Sequence, residues 1–273
     1  MSVTEGAAVT AELRVERNGP VATILIDHAR RRNALTKQMW GQFEPILEEL
    51  RNDSAVRVVV VRGGGEHFSA GADISDLRVI LHDSSSGRHD GGHVSAGESA
   101  LANFPKPTIA AIDGFCMGGG WQIAGACDIR IASERAKIAI TPAKIGIVYP
   151  LSGIERLVRI AGPAVAKQLL FSADFVDATE ANALGLVSRV VPAAQFEDDV
   201  ERYALHLASR SQLSIQAMKE IVDTIAAGGN GLETVNDYWQ ETMARSSDPG
   251  TGIQAFLSKQ APHFTWTRPS MRP

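Results

Sequence analysis

The stretch FCMGGGWQIAGACDI, Phe115–Ile129, sets the terms on which the rest of the chain can be read. Three consecutive glycines, Gly118 to Gly120, run straight into an apolar segment with helical spacing. Just before it, PTIAAIDG (107–114) has the apolar, β-branched texture of a buried strand. A strand that breaks at glycines and re-forms as a helix leaves the first helical N–H groups at the turn without internal partners. The helix dipole is positive at that end, which attracts anionic oxygen. A main-chain amide used in this way needs no particular side chain, which accounts for the glycines.

A second segment has the same design. GGGEHFSAGADI (63–74) leaves the apolar strand VRVVVVRG (56–63) through glycines and is expected to enter a helix at Ala72, with Asp73 as its cap. Two such ends converging on one point would clasp an oxygen that gains negative charge during a reaction. HFSAG has the outline of a serine-hydrolase elbow, but His67 stands where that motif needs its first glycine, which argues against Ser69 as a nucleophile. The spacing of a dinucleotide fingerprint is absent, and so is a phosphate-binding Walker loop.

Further out, Leu13–Arg17 and Val21–Asp27 read as strands around the turn Asn18–Gly19–Pro20. Thr36 reads as the cap of an amphipathic helix with Met39, Phe43, Ile46, Leu47 and Leu50 on one face. DIRIAS and AKIAI add short strands. Strands alternating with helices predict an α/β core, placed at 1–195. From 196 to 273 only helical patterns remain: Phe196–Ser209, Ile215–Ala227, Leu232–Ala244 and Gly252–Ser258. Such a tail must pack on the core, on a neighbouring subunit, or on both. His82–Ser99, rich in Ser, Gly and His, reads as a mobile loop; the irregular spacing of His82, His89 and His93 argues against a metal site.

The 273 residues are enough for a sizeable core, and 44% hydrophobic with 21% charged residues is an ordinary globular composition. The net charge is −4, and no cationic run exceeds Arg30–Arg31–Arg32, which argues against nucleic-acid or membrane-surface binding. No apolar run approaches the ~20 residues of a membrane span, and the N-terminal residues lack a signal-peptide pattern. Cys116 and Cys127 lie in apolar surroundings and read as reduced core thiols. A cytoplasmic protein is expected.

HFSAGADI, PKPTIAAIDGFCMGGGWQIAGACDIRIAS, RRRNALT, FSADFVDATEANALGLVSRVV and AFLSKQAPHF together resemble the crotonase superfamily of enoyl-CoA hydratases and isomerases, over about Leu13 to Phe264. The resemblance implies a crotonase-like spiral of ββα units with a helical C-terminal trimerisation region, assembled as a homotrimer or a dimer of trimers. It implies acyl-CoA substrates, with coenzyme A as part of the substrate and no permanently bound cofactor or metal. The thioester oxygen would sit between the N–H groups of Ala72 and Gly119. Arg30, Ala70, Asp73, Ile74, Phe256 and Lys259 are the residues it places against the coenzyme A portion.

Hydratases of that superfamily use two glutamates, which by motif position would fall at Gln122 and Pro142. Glutamine has no titratable proton and proline offers no polar side chain. General acid–base help contributes roughly 10²–10⁴-fold, so the two-carboxylate hydration route is doubtful here. Tyr149 falls where methylmalonyl-CoA decarboxylases carry a similar tyrosine. Decarboxylation suits a site poor in bases, because loss of CO₂ generates the enolate directly; Gln122 or Tyr149 would orient the carboxylate. Against it, the decarboxylase pattern has histidine where Ala72 stands and an acid where Gln122 stands. The other alternative is a catalytically silent CoA-binding scaffold.

Overall fold

The structure, a computed structural model, describes residues 11–82 and 91–268. β1 (Glu12–Asn18) and β2 (Val21–Asp27) form the expected antiparallel hairpin. α1 (Lys37–Asn52) starts at Thr36, whose hydroxyl accepts from the Met39 N–H at 3.3 Å, and buries Met39, Phe43, Leu47 and Leu50. Then follow β3 (Val58–Gly63), α2 (Leu77–Leu81), α3 (Gly92–Ala102), β4 (Thr108–Ile112), β5 (Phe115–Met117) and α4 (Gly119–Ala126). After these come β6 (Ile129–Ser133), β7 (Lys137–Ala139), α5 (Leu151–Ser172), β8 (Val176–Asp177), α6 (Ala178–Ala183) and β9 (Arg189–Val191). The tail is helical: α7 (Phe196–Ala208), α8 (Gln212–Ala226), α9 (Leu232–Ala244) and α10 (Asp248–Ser258). Among the described residues, no helix is long and apolar enough to cross a membrane.

The strands form a six-stranded sheet, β1-β2-β3-β4-β6-β9, and a three-stranded one, β5-β7-β8. From β2 onward the large sheet is parallel. The chain alternates between the sheets, β4 to β5, β6 to β7 and β8 to β9, which winds it into a spiral. β3 is continuously apolar because both its faces are covered. Val59 and Val61 join the core under α1 and α4, while Val58 and Val60 pack under Phe196, Val200, Ala204 and Ala208 of α7. The first tail helix therefore closes the sheet, whereas α8 and α10 leave Val222, Ile225, Ile253, Phe256 and Leu257 exposed.

Several expectations change. Within His82–Ser99, residues from Gly92 onward are helix α3 rather than loop, with Val94, Gly97, Glu98 and Leu101 buried. Residues 83–90, His89 among them, lie outside the described residues. The composition misleads because this helix buries a glycine and a carboxylate in place of a leucine stripe. Gly97 lies flat against Trp40, where a Cβ would stand 3.1 Å from the ring. The helix expected at Ala72 begins instead at Leu77, and Asp73 closes a local turn: its carboxylate accepts from the Ser75 N–H at 3.0 Å and hydroxyl at 2.6 Å. α8 and α10 begin at Gln212 and Asp248, ahead of their apolar patterns, because their first turns are polar. The short strand β5 was not expected either.

Candidate functional site

The two glycine turns run side by side. The Phe68 N–H donates to Asp113 O at 2.8 Å, the Ser69 N–H to Phe115 O at 2.9 Å, and the Met117 N–H to Ser69 O at 2.9 Å. Ser69 is fully buried; its hydroxyl donates to Asn33 O at 2.7 Å and accepts from the Gly71 N–H at 3.1 Å. It fastens the turn and has no open face from which to attack a substrate.

On the far edge of the same turn, the Leu35 N–H donates to Gly71 O and Leu35 O accepts from the Asp73 N–H, both at 2.8 Å. Leu35 thus brackets Ala72 as a parallel bridge. In such a bridge the bracketed residue's own N–H and C=O point to the opposite side. The opposite side holds Gly119, the first residue of α4. A Cβ on Gly119 would stand 3.0 Å from Ala72 N, and one on Gly71, which turns at φ +100°, would stand 3.3 Å from Gly119 N. Among the described residues, neither the Ala72 N–H nor the Gly119 N–H has a hydrogen-bond partner.

Gly118 caps α4 at φ +47°, ψ −108°, a backbone suited to glycine. Its carbonyl accepts from the Tyr149 hydroxyl at 2.7 Å and the Gln122 N–H at 3.2 Å. A trans peptide sends its carbonyl and its N–H in opposite directions. Holding the Gly118 carbonyl on Tyr149 therefore turns the Gly119 N–H the other way.

Ala72 and Gly119 form part of the wall of a cavity of about 270 Å³, together with Gln122, Pro142, Tyr149 and the apolar side chains of Leu77, Leu81 and Val94. Among the described residues no carboxylate lines it. Ala70 and Ile74 also line it, and Ile74 is largely exposed. Asp73, Arg30, Phe256 and Lys259 do not. Asp73 is buried at the turn, with its carboxyl held below the usual range by the Ser75 hydroxyl against the opposing effect of burial. Arg30, Phe256 and Lys259 are exposed. Trp121 is buried in the core.

Gln122 is 2% exposed, and its Nε2 donates to Glu98 Oε2 at 3.0 Å. Glu98 is wholly buried and also accepts from Ser152 Oγ at 2.6 Å and from Arg156 Nε at 2.8 Å. Gly153 makes room for this cluster, since a Cβ there would meet the Tyr149 ring at 2.8 Å and Gln122 Nε2 at 3.0 Å. Burial pushes the Tyr149 phenol well above its ordinary value, with Glu98 adding to the effect. Sequence reading missed Glu98, Ser152 and Arg156. The available signal was Val94–Glu98–Leu101, a helical i, i+4, i+7 row with a carboxylate in its middle.

Comparison with known proteins gives one consistent picture. The family described as enoyl-CoA hydratase/isomerase matches residues 16–267. A crotonyl-CoA hydratase of Syntrophomonas wolfei is 31% identical over 258 residues, 92% of this chain and 96% of that protein. The human mitochondrial methylglutaconyl-CoA hydratase is 38% identical over 269 residues, 93% of this chain and 77% of that protein. A crystal structure of an enoyl-CoA hydratase/isomerase family member superposes with a TM-score of 0.90 at 44% identity, covering 96% of this chain and 98% of the other. The mixed α/β spiral with a helical C-terminal region is the arrangement of these neighbours.

Proposed function

Since the chain belongs to the enoyl-CoA hydratase/isomerase family, we propose that its cavity holds an acyl-CoA thioester with the carbonyl oxygen between the N–H groups of Ala72 and Gly119. In this reading the two amides stabilise the enolate that forms when charge moves onto that oxygen. The observation that carries it is the pair of facing, unpartnered main-chain donors in the wall of an apolar cavity. Donors fixed beforehand at the point where charge develops are worth several kcal/mol to such a step, and losing one costs ~10²–10³ in rate.

The hydrogen bonding weighs against decarboxylation within that class. Of the two donors named for orienting a substrate carboxylate, Tyr149 gives its hydroxyl hydrogen to Gly118 O and Gln122 gives one of its two Nε2 hydrogens to Glu98. Hydration by paired carboxylates finds no acid among the described wall residues, where Gln122 and Pro142 stand at the positions the resemblance gives to the two glutamates. The lack of a carboxylate among the described wall residues favours a second reading, acyl-CoA binding without turnover. Arg30 and Lys259 remain candidates for the phosphates, and the apolar faces of α8 and α10 for a trimer contact.

The test uses acetoacetyl-CoA, whose enolate absorbs in the near ultraviolet when an oxyanion site polarises it. Binding with that band supports the proposal, and absence of both binding and band overturns it. Parallel assays on crotonyl-CoA, a 3-enoyl-CoA and methylmalonyl-CoA then separate turnover from silent binding.

A further inference from the structure

Gln122 stands one helical turn after Gly119, so its side chain lies on the same face of α4 as the Gly119 amide. Its amide has two ends of opposite chemistry, one donating and one accepting. Three observations fix which end is turned inward. Nε2 donates to Glu98 Oε2 at 3.0 Å. A Cβ on Gly153 of α5 would lie 3.0 Å from that same Nε2, so the nitrogen faces the interior of the protein. Glu98 already accepts from Ser152 and from Arg156, so a reversed amide would set oxygen against oxygen in a buried place.

We propose that Glu98 is a positioning residue that holds the Gln122 carbonyl oxygen toward the cavity, so that the site selects acyl groups carrying a hydroxyl donor near the thioester over acyl groups carrying a second carboxylate. The selection rests on the acyl-CoA reading of the cavity. A hydroxyl gives its hydrogen to Oε1. A carboxylate meets that same oxygen with Glu98 directly behind it, and Arg156, which neutralises Glu98, stands on the far side and does not line the cavity. The cation in the described wall is Lys144, exposed and held over the Phe175 ring at 5.5 Å.

Calorimetry on the whole protein with three probes tests this. 3-Hydroxybutyryl-CoA is expected to bind about fivefold tighter than butyryl-CoA, the scale of one net hydrogen bond, and malonyl-CoA weaker than either. Glu98→Gln supplies an N–H₂ that can face Gln122 and lets its amide reverse. In that variant malonyl-CoA gains affinity relative to butyryl-CoA, a reversal that loss of packing would not produce, whereas the substrate hydroxyl, which also accepts, still has a partner in the reversed amide. Gln122→Met, which does not disturb the Glu98–Arg156 pair, is expected to lose the preference for the hydroxyl. Equal affinities of the unaltered protein for the hydroxylated and plain probes overturn the proposal, as does a folded Glu98→Gln protein in which malonyl-CoA gains nothing relative to butyryl-CoA. Failure of all three probes to bind overturns the acyl-CoA reading itself, and this inference with it.

Discussion

The Tyr149 hydroxyl donates to the Gly118 carbonyl at 2.7 Å, and that bond orients the peptide whose other end is the Gly119 N–H. Tyrosine at this place is therefore tied to the aim of a main-chain donor, and its proton is already in use. Tyr149→Phe should lower the acetoacetyl-CoA enolate band about tenfold. The melting temperature should fall only a few degrees, the cost of about 1 kcal/mol in a chain of this size. Because burial holds the phenol above its ordinary value, activity should show no Tyr149 titration up to about pH 10. A basic limb below that pH, absent from the variant, would make Tyr149 a titrating catalyst instead.

Gly119→Ala adds a methyl where a Cβ would stand 3.0 Å from both Ala72 N and the Trp40 ring. These are main-chain and packed aromatic neighbours, so the two amides must separate. Loss of acetoacetyl-CoA polarisation by ~10²–10³-fold is expected, with the far-ultraviolet circular dichroism of a folded chain retained. A folded variant with an undiminished enolate band would remove Gly119 from the site.

Gln122→Glu should not create a hydratase. The new carboxyl would lie within hydrogen-bonding distance of Glu98, and two carboxylates so placed share one proton. The pair's upper pKa is then raised in the folded state, so stability is present at low pH and is lost as pH rises through that value. Urea midpoints of the variant should fall from acidic to neutral pH relative to the parent protein, and crotonyl-CoA hydration should stay low because Pro142 supplies no second acid. Robust hydration by this single variant would show that one acid is enough.

Lys106, 5% exposed, donates to Leu50 O and Asp53 O, each at 2.7 Å, at the end of α1. Burial lowers its pKa from 10.5 to about 8, with Asp53 opposing. Between those values the unfolded chain keeps a proton that the folded chain has released, so Lys106 adds stability as pH rises through the window. Lys106→Met should be less stable throughout and should lose this rise. Urea midpoints at about pH 7.5 and about pH 9.5 report the slope; an unchanged slope would place the Lys106 pKa near that of a free lysine.

Sequence patterns carried the architecture further than the chemistry. The turn at Asp113–Gly125 was legible because its glycine run passes from a β-branched strand directly into an apolar helix, whereas 63–74 shares the strand and the glycines but reaches its helix only at Leu77. The α1 face and the Thr36 cap followed from local periodicity. Glu98 was not legible. It lies in a helix whose buried face includes Gly97, and its charge is matched by Arg156, 58 positions away. The row Val94–Glu98–Leu101 hints that the carboxylate is buried, but nothing near it in the chain names its partner. The use of the Tyr149 hydroxyl was hidden in the same way, 31 positions from the carbonyl it holds.

The bonds that tie Ser69 to the Phe115–Met117 segment, and Leu35 to Gly71 and Asp73, run entirely through main chain. The spacing of the Ala72 and Gly119 segments is therefore inherited with the fold, and among the wall side chains it is Tyr149 that aims the Gly119 amide. Descendants of this chain are free to drift at Ile74, Leu81 or Val94 and so acquire a taste for new acyl groups, while the clasp itself stays as it was.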